Sequence, residues 1–246
     1  MEEVLGQAFW IGLLKIIGVN IILSGDNAVV IALASRSLPK RQQKLAIFWG
    51  SAAAVVMRVI LTVFAVALLT LPWLKILGGL LLLWIGIQLL VPEGGDENIE
   101  SSENLWAAIK TILIADLVMS LDNVLAVAAA ADSAAPTPEL AAMKYTLLVL
   151  GLAISIPIVI FGSTLMLKLM ERWPVIITLG AGLLGWIAGE MVVSDSAIAG
   201  WVKANVGWLE SLHLAPAVGA VIVVLVGKWI AGRKAAPGEE LNRSQP

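Results

Sequence analysis

The stretch NIILSGDNAVVIALA, residues 20–34, decides the fold of this chain. It is apolar enough to cross a membrane as a helix, but polar side chains interrupt its middle: Asn20, Ser24, Asp26 and Asn27. The stretch DLVMSLDNVLAVAAA, residues 116–130, repeats the pattern. A polar group in the bilayer core costs free energy, so two such interruptions call for a structural or a functional reason.

The composition indicates an integral membrane protein. Of 246 residues, 59% are hydrophobic and 14% are charged, against roughly 25% charged residues in an average soluble domain. The apolar residues fall in blocks of about 20 and lack the alternating period of a membrane β-barrel. We therefore predict an all-α membrane protein in contact with the lipid bilayer. The net charge of −2 gives no sign of nucleic-acid binding, and the lack of cysteine excludes disulfides.

Seven apolar blocks predict seven transmembrane helices, at about residues 9–34, 45–69, 73–91, 105–131, 145–167, 174–193 and 214–231. Lys and Arg are concentrated after the first, fifth and seventh blocks, which predicts a cytoplasmic C-terminus and an external N-terminus. The acidic loop at 92–104 falls on the same side, but acidic residues carry little weight in this rule. Residues 194–213 fit a short amphipathic surface segment, and residues 233–246 fit a disordered cytoplasmic tail.

The chain repeats itself in two halves. A shift of 96 positions superposes Ser24 on Ser120, Asp26 on Asp122 and Asn27 on Asn123, and a shift of 102 superposes Gly78 on Gly180 and Trp84 on Trp186. Because each half holds three helices, the second half enters the membrane from the opposite face. We predict a 3+3 inverted repeat, residues 9–91 and 105–193, plus one extra C-terminal helix, within a transport domain spanning 1–232. Such repeats are typical of secondary transporters with a substrate site at the midplane.

The two polar clusters, facing each other, would offer only oxygen ligands. Such sites suit Mn²⁺, Ca²⁺ or Mg²⁺, whereas a lone histidine and no cysteine argue against zinc, copper or iron. The candidate metal ligands are Asn20, Asp26, Asn27, Asp116, Asp122, Asn123 and Glu190, with support from Ser24, Ser120, Gln88 and Arg58. The intramembrane carboxylates carry more negative charge than a lone Na⁺ would balance.

Helix geometry predicts where the regular backbone must give way. On an unbroken helix Asp26 and Asp122 would point away from the other polar residues of their motifs. A local break would turn them round. Gly25 permits a break in the first motif, whereas Leu121 at the matching place gives no such freedom.

Structural roles remain open for several of these residues. Polar side chains also hold membrane helices together through hydrogen bonds. Arg58 is either a fixed counter-ion to one of the aspartates or a gate that neutralises the site. Asp195, nearer a helix end, is expected to be solvated. The glycines of GLLLLWIG and GAGLLGWIAG are expected to allow close helix packing.

Four segments resemble the signatures of the TerC family of integral membrane proteins, in the lysine-exporter superfamily: NIILSGDNAVVIALAS, DLVMSLDNVLAVAAAA, ISIPIVIFGSTL and GWIAGEMVVSD. The resemblance covers about residues 16–195. It implies seven helices and, as in several bacterial relatives, Mn²⁺ efflux through the inner membrane. The family's acidic motif residues correspond to Asp26, Asp116, Asp122 and Glu190. Members are also tied to tellurite, alkaline pH and thylakoid assembly, so the resemblance does not fix the substrate.

The functional prediction is a secondary transporter that exports a divalent metal ion, Mn²⁺ first, with Ca²⁺ or a cationic amino acid as alternative cargo. A membrane-protein assembly factor is the alternative outside transport. We predict no enzymatic activity, because an intramembrane aspartyl protease would need Gly-x-Gly-Asp and Leu23 stands at the first glycine. No prosthetic group is expected. The sequence leaves the coupling ion and the choice between monomer and homo-oligomer open.

Overall fold

The computed structural model describes residues 2–64, 71–91, 101–134, 144–211 and 213–242, and all the regular structure in these ranges is helical. The helices are α1 (Glu2–Ile22), α2 (Gly25–Ser35), α3 (Lys40–Val63), α4 (Leu74–Leu90), α5 (Ser101–Ala134), α6 (Lys144–Arg172), α7 (Val175–Val193), α8 (Ala199–Ser211) and α9 (Leu214–Asn242). The all-α fold class is therefore confirmed. Each predicted apolar block corresponds to one helix, except the first, which is divided between α1 and α2.

Five helices of the described chain are long and apolar enough to cross a membrane: α3, α5, α6, α7 and α9. The bent pair α1 and α2 would make a sixth span if it crosses as one unit. Helix α4 is apolar but has only 17 residues, about 25 Å at 1.5 Å per residue and near the lower limit for a span. The count of seven spans stays a prediction.

The C-terminal helix differs from the sequence-based boundary. We expected it to end near Ala231 and to be followed by a disordered tail, but α9 continues to Asn242. Residues 233–242 include two Ala, two Glu, one Arg, one Lys and one Leu, all of high helix propensity, and the helix continues through Pro237 and Gly238. Only residues 243–246 of the expected tail lie outside the described residues.

The chain divides into two compact units. The first contains Met1–Leu71 and Leu105–Lys168, and the second contains Pro72–Asn104 and Leu169–Pro246. The first two spans of each predicted repeat thus belong to the first unit. The third span of each, α4 and α7, belongs to the second unit together with α8 and α9. Each unit therefore contains parts of both predicted repeats.

Two contacts between helices of the first unit are equivalent to each other. Ile16 of α1 packs against Gly151 of α6, where an added Cβ would lie 2.5 Å from its Cγ2 atom. Ile112 of α5 packs in the same way against Gly50 of α3, where the distance would be 2.8 Å. Ile16 and Ile112 are 96 positions apart, as are the two Ser-x-Asp-Asn motifs. Such reciprocity is expected of a two-fold arrangement and supports the repeat, which stays a prediction.

Small residues bring the helices of the second unit together. Gly79 of α4 faces the carbonyl of Ala188 on α7, and Gly86 faces that of Ala181, so these two helices are antiparallel and again in reciprocal contact. Gly185 and Gly219 place the backbones of α7 and α9 so close that a Cβ on either would overlap the other's carbonyl oxygen. The expected role of the glycine-rich segments in helix packing is confirmed.

Asp195 holds the start of α4, contrary to the expectation that it is solvated. Its side chain has no exposed surface. One carboxylate oxygen accepts hydrogen bonds from the backbone N–H groups of Trp73 (2.9 Å) and Ala197 (2.8 Å). The other accepts from Lys75 (2.9 Å) and Ile76 (3.2 Å). Burial acts to raise the pKa of Asp195, but these four donors outweigh it, and the pKa lies below its ordinary value of 3.8.

Trp73 explains why such a carboxylate is needed. Its backbone has φ of 70°, in the left-handed region that bulky side chains rarely adopt. Helix α4 starts at the next residue, where the first N–H groups have no partner within the helix. Asp195 supplies those partners and fixes the strained residue. The sequence prediction missed this because the carboxylate and the donors are far apart in the chain.

Candidate functional site

The first Ser-x-Asp-Asn motif lies at a break between two helices. Helices α1 and α2 are bent by 50° at residues 23–24, which confirms the predicted break. Gly25 is not its cause, because no glycine of the described chain has positive φ and Gly25 is the first residue of α2. Ser24 instead has φ of −108° and ψ of 3°, and its N–H donates to Ile21 at 3.2 Å. The carbonyl of Asn20 thereby loses its helical partner.

Polar side chains of both motifs satisfy the backbone around the break. The hydroxyl of Ser24 donates to the carbonyl of Asn20 at 2.5 Å. The amides of Asn27 and Asn123, matched residues of the two motifs, both donate to the carbonyl of Leu23, at 3.5 and 3.3 Å. The N–H of Asn27 donates to the Asp26 carboxylate at 2.7 Å. Ser24, Asn27 and Asn123 therefore have a structural role at the break, one of the roles that the sequence left open.

The second motif lies on an unbroken helix. Helix α5 passes through it without interruption, so only the first motif is broken. As expected for one helix face, Asp116 and Ser120 lie together, and the Ser120 hydroxyl donates to Asp116 Oδ2 at 3.2 Å. The backbone of Asp122 belongs to this helix, and its side chain lies outside the described part of the structure. Leu121 offers no conformational freedom, in agreement with the continuous backbone.

Arg58 lies at the centre of the buried cluster. Its Nη2 donates to Asp116 Oδ1 at 2.5 Å and its Nε to Ser120 Oγ at 3.0 Å. Its Nη1 donates to Asn20 Oδ1 at 2.9 Å and to Ser24 Oγ at 3.3 Å. All five side chains are buried. The guanidinium therefore binds four oxygen atoms, two from α1 and the break after it, and two from α5.

These four oxygen-bearing residues form two matched pairs. Ser24 corresponds to Ser120 at the shift of 96, and the same shift places Asn20 on Asp116. Arg58 thus makes equivalent contacts with the two predicted repeats. Arg58 forms an ion pair with Asp116, and both partners are almost fully buried; the pair is compatible with both roles considered for Arg58, the fixed counter-ion and the gate.

A small cavity of about 10 Å³ adjoins the cluster, lined by Asn20, Ser24, Asn27, Ile31, Ser51, Ala54, Val55, Arg58, Asp116 and Val159. This volume suits about one water molecule or one dehydrated ion. Three buried polar atoms of residues that line this cavity have no hydrogen-bond partner among the described residues: Asn20 Nδ2, Asn27 Oδ1 and Ser51 Oγ. Buried polar atoms are normally paired, so these mark a place for a small polar ligand or ion.

Ser51 is the residue that the sequence prediction missed. It lies on α3, seven positions before Arg58, in the segment GSAAAVV that carries no motif. Serines are common in membrane helices, and most hydroxyls here donate to their own helix, as Ser155 does to Gly151 at 2.8 Å. Only the tertiary structure reveals that Ser51 lines the cavity and that its hydroxyl has no partner among the described residues.

The structure unites part of the predicted ligand set. Asn20, Asn27 and Asp116 line the cavity, and Asn123 bonds the break beside it. Asp26 is half-buried, bonds the N–H of the next residue and does not line the cavity. Glu190 and Gln88 belong to the second unit, where both side chains are exposed. No group of three His, Asp or Glu suited to a metal occurs within the residues that the structure describes.

The charge of the cluster differs from the sequence-based estimate. We expected a surplus of negative charge from several carboxylates near the midplane. Asp116 is instead neutralised by Arg58, and Asp26 lies outside the cavity wall. The sequence offered Arg58 as a counter-ion to one of the aspartates or as a gate, and the structure pairs it with Asp116. A cation entering this cluster would therefore meet a positive charge as well as oxygen atoms.

Comparisons with known proteins identify the family. The chain is 45% identical over 204 residues to the uncharacterized membrane protein YjbE of Bacillus subtilis, covering 83% of this chain and 88% of YjbE. It is 27% identical over 195 residues to YkoY of the same organism, covering 75% and 60%, and 23% identical over 239 residues to YegH of Escherichia coli, covering 87% and 43%. No solved structure matches. The profile of the TerC family of integral membrane proteins matches residues 5–235, and the chain belongs to this family.

Proposed function

We propose that this chain is a secondary transporter that exports a divalent metal ion, Mn²⁺ in the first place, by alternating access around the two Ser-x-Asp-Asn motifs. It acts as a carrier rather than an enzyme, in the cell membrane, with its C-terminus in the cytoplasm. The proposal rests on the family and on the chemistry of the buried cluster. The proposed ligands come from the two motifs of the first unit, namely Asn20, Asp26, Asn27, Asp116, Asp122 and Asn123, to which we add Ser51.

The observation that carries the proposal is the convergence of side-chain oxygens from both motifs on one buried cation. Asn20, Ser24, Asp116 and Ser120 direct four oxygen atoms at the Arg58 guanidinium. A purely structural cluster would need no unpaired oxygen, yet Asn27 Oδ1 and Ser51 Oγ, in residues that line the adjoining cavity, have no partner among the described residues. Carboxylate, amide and hydroxyl oxygens are the ligands that Mn²⁺, Ca²⁺ and Mg²⁺ prefer.

Export in the proposed orientation has an energetic requirement. An inside-negative potential opposes the exit of a cation by about 2.3 kcal/mol per charge for each 100 mV, so a divalent ion meets about twice that. We propose that an opposing proton flux or a steep metal gradient supplies this free energy. Carboxylates of the site would exchange the proton, because a bound metal displaces protons from its ligands.

A cationic amino acid is the second candidate cargo, favoured by one observation. The cluster as it stands binds a guanidinium through four hydrogen bonds, which is how a protein site would recognise the side chain of free arginine. The adjoining cavity, about 10 Å³, is far too small for an amino acid in this conformation. We therefore place it second to a metal ion.

The test is flux into proteoliposomes that contain the purified full chain, with a metal-sensitive dye inside and the internal pH recorded. We would compare MnCl₂, CaCl₂, MgCl₂ and radiolabelled arginine. Mn²⁺ entry that saturates and is abolished by Asp122→Asn would support the proposal, and a matching pH change would identify the proton as coupling ion. Entry of arginine alone would support the second candidate.

Ser51→Ala tests the residue added from the structure. We expect its apparent affinity for Mn²⁺ to fall about threefold to tenfold, equivalent to roughly 1 kcal/mol for one lost ligand oxygen. Ser155→Ala is the matched control, since that buried hydroxyl bonds its own helix. If no divalent ion or amino acid moves, and none binds, the motifs are structural and an assembly role replaces the transport proposal.

A further inference from the structure

We propose that Arg58 is an internal cation that competes with the transported cation for the paired oxygen ligands of the two motifs. The inference rests on the proposed function and adds a regulatory element to it. The cargo binds only when the guanidinium gives up Asp116, so the arginine holds the site closed and sets how tightly cargo is bound. A counter-ion that merely stabilises Asp116 would act in the opposite direction, which makes the two roles separable.

The guanidinium uses the oxygen atoms that a cargo cation would need. Both oxygens of Asp116 are engaged, Oδ1 by Arg58 and Oδ2 by Ser120. The lone pairs of Ser24 Oγ and Ser120 Oγ also accept from Arg58, while their hydroxyl protons are directed elsewhere. A cation entering the cavity therefore has no access to a free carboxylate on its wall until Arg58 moves.

Arg58 also sets the orientation of the Asn20 amide. Asn20 lines the cavity; its Oδ1 accepts from Arg58 Nη1 at 2.9 Å, and its Nδ2 group has no partner among the described residues. An N–H donor on a residue that lines the cavity opposes a cation there. Release of the guanidinium would free the amide to rotate and present its oxygen instead. One movement thus changes two ligands, Asp116 and Asn20, from unfavourable to favourable for a metal.

The position that matches Arg58 in the predicted second repeat holds no arginine. Gly50 of α3 contacts Ile112, and Gly151 of α6 makes the equivalent contact with Ile16. Arg58 follows Gly50 by eight positions and Val159 follows Gly151 by eight, so Val159 is the residue that matches Arg58. Both residues line the same cavity. The oxygen ligands are duplicated in the two halves, but the arginine is not. A single guanidinium bridging two matched pairs of oxygens is the arrangement expected for one cation at a shared central site.

The deciding experiment measures Mn²⁺ binding to the purified full chain in lipid nanodiscs by isothermal titration. The variants are Arg58→Ala and, as control, Arg172→Ala, which removes an exposed arginine stacked on Trp173. We expect Arg58→Ala to bind Mn²⁺ at least about tenfold more tightly than the original chain. Arg172→Ala should bind as the original chain does.

Free guanidinium then acts as a substitute for the missing side chain. Added at millimolar concentration to Arg58→Ala, guanidinium chloride should weaken Mn²⁺ binding, whereas urea, the neutral analogue of the same shape, and NaCl at equal ionic strength should not. If Arg58 were a structural counter-ion, Arg58→Ala would bind Mn²⁺ more weakly and guanidinium would restore the binding. That result would overturn the inference.

The outcomes separate this inference from the proposed function. If neither the original chain nor any variant binds Mn²⁺, the proposed function fails. If the original chain binds Mn²⁺ and Arg58→Ala binds equally or more weakly, only the competition fails. If Arg58→Ala does not fold, Mn²⁺ binding is measured on Arg58→Lys instead. A lysine cannot span both pairs of oxygens, so we expect tighter Mn²⁺ binding than in the original chain, and equal or weaker binding would overturn the inference.

Discussion

Substituting Asp195 by Asn should destabilise the chain strongly, although the change removes only one charge and almost no volume. The carboxylate accepts four backbone hydrogen bonds, two on each oxygen, while its side chain is fully buried. Asparagine keeps one oxygen and directs an N–H₂ group at two other N–H donors. Each orphaned buried donor costs about 1–3 kcal/mol, so we expect a loss of roughly 2–6 kcal/mol.

The assay is reversible unfolding of purified chain in mixed micelles, at pH 7 and again below pH 3.8. Glu171→Gln is the control, because it removes one negative charge from an exposed side chain. We expect the control to stay within about 0.5 kcal/mol of the original chain. If Asp195→Asn also stayed within about 0.5 kcal/mol of the original chain, the assigned role of Asp195 at the start of α4 would be refuted.

The pH dependence gives a second, independent check. Because the pKa of Asp195 in the folded chain lies below 3.8, its contribution to stability is fully present above pH 3.8. It is lost as the pH falls below that value, toward the folded pKa, because the folded carboxylate must then take up a proton that the unfolded one already holds. The difference between the original chain and Asp195→Asn should therefore shrink on acidification. A difference that is constant from pH 7 to below pH 3.8 would contradict the reasoning.

Two further predictions concern the helix contacts of each unit. Asp116→Asn should lower the free energy of unfolding by about 3–5 kcal/mol, because it leaves the Arg58 charge buried and unpaired. Arg58→Gln in the same chain should recover most of that loss. A double-mutant cycle of unfolding free energies measures the coupling, and additive losses would contradict it. Gly185→Ala should cost about 1–3 kcal/mol because its Cβ would overlap the carbonyl of Gly219. Gly182→Ala lies on the same helix, and its Cβ would lie an ordinary 3.4 Å from Val224, so it should be neutral or stabilising by up to about 1 kcal/mol. If Gly185→Ala and Gly182→Ala had equal effects in thermal unfolding, the close packing of α7 and α9 would be contradicted.

The break between α1 and α2 shows how a correct prediction can rest on an incomplete reason. The sequence placed the break beside Gly25, on the ground that glycine tolerates irregular backbone. In the structure the irregular residue is Ser24, and Gly25 begins the next helix. Side chains of both motifs stabilise the break by bonding the carbonyls of Asn20 and Leu23. The capacity for such bonds depends on the neighbouring helix α5, which no local pattern describes.

Arg58 and Ser51 mark the limit of sequence reasoning about the site. A buried arginine needs an anion, and the sequence offered several aspartates as partners without distinguishing them. The structure selects Asp116 and adds Asn20, Ser24 and Ser120 as further acceptors. Ser51 has no distinguishing neighbours in the sequence. Its importance follows only from its place in the cavity lining and from a hydroxyl without a partner among the described residues.

The sequence by itself determined the membrane class, the all-α fold, the family and the two polar motifs, because these depend on composition, on the length of apolar blocks and on short local patterns. In lipid every backbone N–H and C=O group must be hydrogen-bonded within the protein, and apolar blocks of this length meet that requirement as helices. The tertiary structure decided which charges pair, which of the two motifs is broken, and that Asp195 is buried rather than solvated. These features depend on atoms separated by 58 positions between Arg58 and Asp116, or by 122 between Trp73 and Asp195. Their free energies arise from the desolvation of polar groups by neighbouring helices, which exists only once the helices have packed.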